Sequence, residues 1–166
     1  MNVTDAIRTR RAVRLFTDQP VPDAIIQTIL DAGRRSQSSK NTQPWQFIGI
    51  RERATLVALS KMGDYAGHLA GAAFAVVLVG KEDTRSIAFD IGQAAALMQI
   101  TAWEQGIGAC IASIYRPDEA KHLLGIPAEM TAYYALSFGY PSPDHQPAKL
   151  GGRKPLDAVV RWEKWD

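Results

Sequence analysis

Apolar positions along this chain recur with two spacings, close to two in short runs and close to 3.6 in longer ones, and each switch marks an element. Val3 and Ile7 form an i, i+4 pair behind Thr4, a plausible N-cap, with Asp5 in the first turn. Continuing that helix would set Arg10 and Arg14 on the apolar face, where unpaired charges are costly, so a break is expected near Arg10. Pro22 and Asp23 open a second helix whose stripe is Ile25, Ile26, Ile29 and Leu30, with Gly33, Arg34 and Arg35 at its end. Trp45 and Phe47 are expected in the core, at the start of a strand reaching Ile50. Residues 52–62 read as a short helix, 63–71 as a loop or helical turn, and 74–80, F-A-V-V-L-V-G, as a buried strand. A third strand is entered through glycines at 106–114, a short helix spans 117–124, and a fourth strand covers 131–139.

The longest periodic run, residues 86–105, is apolar around most of its circumference and leaves a narrow polar stripe at Asp90, Gln93, Thr101 and Glu104. Such a helix needs cover on more than one side, and in a chain this small a second subunit supplies it economically. Residues 141–152 have no periodicity and read as an extended arm. The arm ends in Leu156, Val159, Val160, Trp162 and Trp165, an apolar tip suited to a neighbouring subunit. Residues 1–166 are read as one domain, with 141–166 as that arm.

Composition sharpens this little. An apolar fraction of 46% and a charged fraction of 22% are ordinary for a globular domain. The net charge of +2 gives no broad basic field, which argues against nucleic acid as a partner. The single cysteine, Cys110, allows neither an intrachain disulfide nor a cysteine metal cluster. No apolar run approaches membrane-spanning length, and M-N-V-T-D-A-I-R lacks the pattern of a secretory signal, so the cytoplasm is the expected location.

Charge is informative where it is concentrated. Four arginines fall within residues 8–14 of R-T-R-R-A-V-R-L-F. In an extended segment Arg10, Ala12 and Arg14 share one face while Val13 and Leu15 anchor the other. Guanidinium groups in a row suit a phosphate, because the planar fork makes bidentate, charge-assisted bonds. On its own the stretch reads more readily as a solvated basic face. A second polar segment, Q-S-S-K-N-T-Q-P-W-Q-F from Gln37, offers short donors and acceptors suited to a planar polar ligand, or forms a plain surface loop. His68, His122 and His145 lack metal-ligand spacing, and no G-x-G-x-x-G follows a strand, so neither a metal site nor a dinucleotide fold is implied.

Taken together, R-R-A-V-R-L-F, S-S-K-N-T-Q-P-W-Q-F, G-I-G-A-C-I-A-S and F-G-Y-P, in this order, resemble the FMN-dependent nitroreductase family over essentially the whole chain. The resemblance implies an α+β fold with a mixed, mostly antiparallel sheet flanked by helices, built as an intertwined homodimer with an exchanged C-terminal arm. Alternation of strands and helices taken alone would instead suggest a parallel sheet. The resemblance further implies that Arg10, Arg11 and Arg14, with Ala12 between them, hold the FMN phosphate and ribityl end, joined by Arg153 from the tail. Gln37, Ser38 and Ser39, with Asn41 nearby, would reach the flavin from the opposite subunit. The backbone of Ala112, Ser113 and Ile114 would lie along the isoalloxazine. Tyr65 and His68 are candidates for the acceptor side, with plain packing as their alternative.

The implied activity is ping-pong hydride transfer from NADH or NADPH through FMN to nitroaromatics, quinones or similar small acceptors, without a dedicated catalytic side chain. The chain departs from the family pattern at Ala12, where serine is usual, and at Ile111 and Ser113, where tryptophan and glycine are usual. Relatives often carry capping helices where this chain has only K-E-D-T-R between the second strand and the long helix, so a more open pocket is expected. A non-catalytic protein that stores or senses FMN is the alternative from another class, and a small nucleic-acid-binding module is the third.

Overall fold

Strand β2 (Phe74–Lys81) is the most deeply buried run in the chain, with every residue from Phe74 to Gly80 enclosed. Its β-branched, uninterrupted sequence suits a strand covered on both faces. A computed structural model describes residues 1–81, 85–147 and 152–165. In it β2 lies inside a four-stranded sheet of order β1-β2-β4-β3, with β1 (Trp45–Ile50), β3 (Gly108–Ser113) and β4 (Met130–Gly139). All three strand pairings are antiparallel.

The parallel sheet suggested by alternation alone does not form, and the reason is where β4 goes. Both β2 and β3 are antiparallel to β4, so they run parallel to each other, as strands joined by a crossover helix should. The last strand is inserted between them. The α+β architecture implied by the resemblance is the one observed.

Two helical layers cover the sheet. On one face α2 (Asp23–Arg34) and α4 (Arg85–Glu104) enclose Phe74, Val76, Leu78, Leu136 and Phe138, where Phe74 and Phe138 stack with ring centroids 4.7 Å apart. On the other, α3 (Arg53–Leu59), α5 (Pro117–Leu124) and a 3-10 turn (Gly67–Gly71) cover Ala75, Val77, Val79 and Ala135. The helix α1 (Val3–Thr9) stops where the charges demand, but its N-cap is Asn2, whose side chain accepts the Asp5 N–H at 2.9 Å, and not Thr4. The cap position needs an extended backbone, which Asn2 has and Thr4, inside the helix, does not.

Past Arg10 the chain is extended and is laced to the sheet. Val13 N–H donates to the Ala109 carbonyl at 3.0 Å, Thr17 N–H to Tyr140 at 2.9 Å, and Ser142 N–H to Leu15 at 2.9 Å. Val13 is fully buried over Gly108, whereas Leu15, the other expected anchor, is exposed. A Cβ on Gly108 would lie 2.6 Å from Val13 Cβ, so only glycine lets the arginine-bearing segment seat this closely. The short connection expected before α4 falls largely on residues 82–84, and part of the arm on 148–151; both lie outside the described residues.

Gly108→Ala is therefore expected to destabilise the fold by about 1–3 kcal/mol through overpacking, read as a lower urea midpoint. An unchanged midpoint would show that the Val13 segment is not held against β3.

Candidate functional site

The arginine segment leaves α1 at Arg10, whose backbone is already extended at the helix end. Arg10 is partly buried and its Nη1 lies 3.4 Å from Gln99 Oε1 on α4. Arg11 turns back, giving Nη1 to the carbonyls of Arg8 and Arg10 at 2.9 Å each. Ala12 is half-buried and forms a parallel bridge to Ala109 of β3. Arg14 is exposed, and its charge reaches His68 and Cys110. Among the described residues no carboxylate pairs with Arg8, Arg10, Arg11 or Arg14. Four uncompensated cations within seven residues form a seat whose chemistry fits a phosphate dianion.

Residues 37–43 are held from the other end of α4. Ser39 N–H donates to Asp90 Oδ2 at 3.0 Å, and Gln37 Nε2 donates to Gln93 Oε1 at 2.6 Å. Gln93 in turn leans on Asp90 Oδ1 at 3.4 Å, and Ser38 Oγ accepts the Gln43 N–H at 2.9 Å. Three residues of this loop, Lys40, Asn41 and Gln43, have φ near +50°. That left-handed geometry costs on the order of 1 kcal/mol or more for each side-chain-bearing residue, and persists only where the surroundings over-determine it. The loop overhangs a cleft of roughly 480 Å³ bounded also by Pro44, Gln46, Lys81 and Met130.

Asp90 and Gln99 are nine positions apart on α4. At about 100° and about 1.5 Å per residue, their side chains leave opposite flanks of α4 some 13.5 Å apart along its axis. Between those flanks, on the side away from the sheet, Phe89 and Leu97 are exposed. One chain thus holds its arginines and its polar loop on opposite sides of one apolar helix face.

Ala112 and Ser113 end β3 and Ile114 follows it; Ala112 and Ile114 are buried and Ser113 is half-buried. Tyr115 N–H donates to the Met62 carbonyl at 2.9 Å, and a Cβ on Gly63 would sit 2.3 Å from the Ser113 carbonyl, so the 62–63 turn packs directly on this strand end. Tyr65 and His68 do not share a surface. Tyr65 is 82% exposed, whereas His68 enters the interior. The His68 Nδ1 lies 2.7 Å from Ser137 Oγ, which also donates to the Cys110 carbonyl at 3.3 Å. Arg153 is exposed in the tail, and among the described residues no ion pair joins the tail to the arginine segment.

Sequence reasoning missed Asp90, Gln99 and Ser137 as parts of this arrangement. A carboxylate in so apolar a helix was the available signal for Asp90, since it is 4% exposed and has to be satisfied internally. Among the described residues no three His, Cys, Asp or Glu side chains gather as metal ligands, and no helix is long and apolar enough to cross a membrane.

Burial, reinforced by the Arg14 charge, holds His68 down to about 4 from 6.5. Unfolding restores the ordinary value, so between about pH 4 and pH 6.5 the unfolded chain binds more protons. This contribution to stability is complete above pH 6.5 and is lost as pH falls through that window. The urea midpoint is expected to fall more between pH 7 and pH 4.5 for the parent chain than for His68→Gln, which cannot titrate. Equal falls would place the imidazole in solvent.

The nitroreductase family model matches residues 7–67 and 51–140. A relative in Archaeoglobus fulgidus, provisionally named an NADH dehydrogenase/NAD(P)H nitroreductase, is 29% identical over 168 residues, covering 96% of each chain. The FMN reductase (NADPH) of Bacillus subtilis is 24% identical over 178 residues, covering 93% of this chain and 69% of its own. The crystallised FMN-dependent nitroreductase of Clostridium difficile superposes with a TM-score of 0.86 at 21% identity over 98% of this chain and 99% of its own, a likeness of fold. With its arginine segment, its polar loop and both outer strands inside the matched residues, this chain belongs to the nitroreductase family and is an oxidoreductase.

Proposed function

We propose that the chain is an NAD(P)H-dependent FMN oxidoreductase that works as a homodimer on nitroaromatics, quinones or similar small acceptors. The observation that carries this reading is the arginine seat: cations held on an extended segment with, among the described residues, no carboxylate to neutralise them. Arg10, Arg14 and Arg153 would bind the phosphate, with Arg11 closing the helix end behind them. Gln37, Ser38, Ser39 and Asn41 would meet the ring from the other subunit, and the backbone of Ala112, Ser113 and Ile114 would run beside it. When bound, FMN supplies the redox chemistry, taking hydride from NADH or NADPH and passing it to the acceptor in a ping-pong cycle. The protein's part is to position both reactants in turn and keep water from the reacting edge. Tyr65, with its ring uncovered, is the side chain suited to the acceptor side, while His68 supports the same region from within. The names of the Archaeoglobus and Bacillus relatives agree with this donor and cofactor.

A second subunit would complete the site, because one chain presents Arg10 and its loop on opposite flanks of α4. The apolar strip between them, with Phe89 66% exposed, is the surface a second copy would cover. The arm has a place to go as well. Among the described residues strand β1 is paired on one side only, and a groove of roughly 960 Å³ runs between that open edge and α2, past Trp45, Phe47, Ala24 and Leu30. Trp162 and Trp165, 79% and 86% exposed within one chain, would find cover on the partner. A cytoplasmic location accords with the lone, unpaired cysteine. A protein that stores or senses FMN is the second reading, favoured by Ala12, which offers no hydroxyl where the family usually has one.

The purified chain is expected to show a flavin spectrum that bleaches rapidly under anaerobic NADPH or NADH and recovers with a nitroaromatic or quinone. Flavin that stays oxidised favours storage or sensing, and a colourless chain that takes up no FMN removes the phosphate role of the arginines. Arg14→Gln is expected to weaken FMN roughly tenfold or more, in line with one hydrogen bond to a charged group. Deleting residues 153–166 is expected to raise the dimer dissociation constant and weaken FMN together, by sedimentation and flavin fluorescence; an unaltered dimer would exclude arm exchange.

A further inference from the structure

We propose that Asp90 is the positioning residue of the flavin-contacting loop, a role that rests on the FMN reading above. Its carboxylate is 4% exposed on α4, and among the described residues no cation pairs with it. Both of its hydrogen-bonded oxygens serve the same loop. Oδ2 accepts the Ser39 N–H at 3.0 Å, and Oδ1 faces Gln93 Nε2 at 3.4 Å. Gln93 passes the connection on, since its Oε1 accepts Gln37 Nε2 at 2.6 Å. Asp90 therefore reaches both ends of the three-residue stretch Gln37, Ser38 and Ser39.

The loop needs such an anchor. Directly after Ser39 the backbone enters the left-handed region at Lys40 and Asn41 and again at Gln43, with none of these a glycine. Residues of that kind are held by contacts at their borders. At the near border that contact is the Ser39 N–H on Asp90; at the far border it is Gln43 N–H on Ser38 Oγ, at 2.9 Å. Releasing the first would let residues 39–43 relax and move the Gln37–Ser39 donors away from the ring they are built to meet. Asp90 touches no flavin in this account. It acts through the loop.

The test uses full-length chains and two readouts. Amide hydrogen exchange on the FMN-free protein reads the anchor itself, and FMN titration by flavin fluorescence reads its consequence. Asp90→Ala is expected to raise exchange across residues 37–43 and weaken FMN about tenfold, the size of one charge-assisted hydrogen bond. Asp90→Asn keeps an oxygen for the Ser39 N–H and is expected to restore most of both. Ser39→Pro removes the donor without touching α4, and Ser38, at φ −146° and ψ 155°, already has the backbone that a following proline requires. Ser39→Ala keeps the N–H and serves as its control. Combining Asp90→Ala with Ser39→Pro is expected to weaken FMN no further than either change alone.

Unchanged exchange in both Asp90→Ala and Ser39→Pro would overturn the anchor. Faster exchange with FMN affinity unaltered, or fully additive losses in the double variant, would overturn the positioning role. A parent chain that binds no FMN would instead overturn the FMN reading, and the flavin role of Asp90 with it, while exchange would still report on the loop.

Discussion

The commitment of one face of α4 to the sheet sets the position of everything else in the candidate site. Ile91, Ala94, Ala95, Met98 and Ala102 are all buried, and they pack on the aromatic and branched side chains of β2 and β4. At about 25 cal/mol for each Å² of apolar surface removed from water, that face holds the helix far more firmly than any polar contact does. Once it is seated, helical geometry leaves no freedom to the rest: Asp90 emerges on one flank, Gln99 on the other, and Phe89 points outward. Turning the helix by a single residue, about 100°, would take Asp90 out of reach of Ser39 and drive an isoleucine into water.

Most of the elements could be read from the order of the residues. The helix over 117–124 has the expected bounds because Pro117 and Gly125 punctuate it locally, and Gly125 is indeed left-handed at φ 65°. Strand β2 was plain from its own composition. The neighbours of each strand were another matter. Adjacency in a sheet is a long-range property, and nothing between 74 and 113 announces that residues 130–139 will lie between those two strands. Thr4 was a sound local choice of cap that lost to Asn2 by two positions, a typical margin for a helix end.

For the site, the types of residue were visible and their supports were not. Arginines on an extended segment announce themselves by density alone. Asp90 read as part of a solvent stripe, because periodicity assigns a polar residue to the outside unless some other segment is known to meet it. That other segment is the loop at 37–43, more than forty residues away. His68 was ambiguous for a similar reason: its neighbour Ser137 lies on the central strand that alternation placed elsewhere.

The placement of β4 also governs when this chain can fold. Its two sheet neighbours, β2 and β3, are made first and cannot bond to each other across the gap that β4 fills. Until residues 130–139 have left the ribosome, the hydrogen-bonding edges of both strands and much of the surface under α4 stay open. At about 5–20 residues per second, synthesis of the stretch from β2 to β4 takes several seconds, during which β2 can pair with β1 on one edge while its other edge waits for β4. The last strand acts as a keystone, because the long-range pairing that joins β3 to the rest of the sheet forms only when β4 arrives.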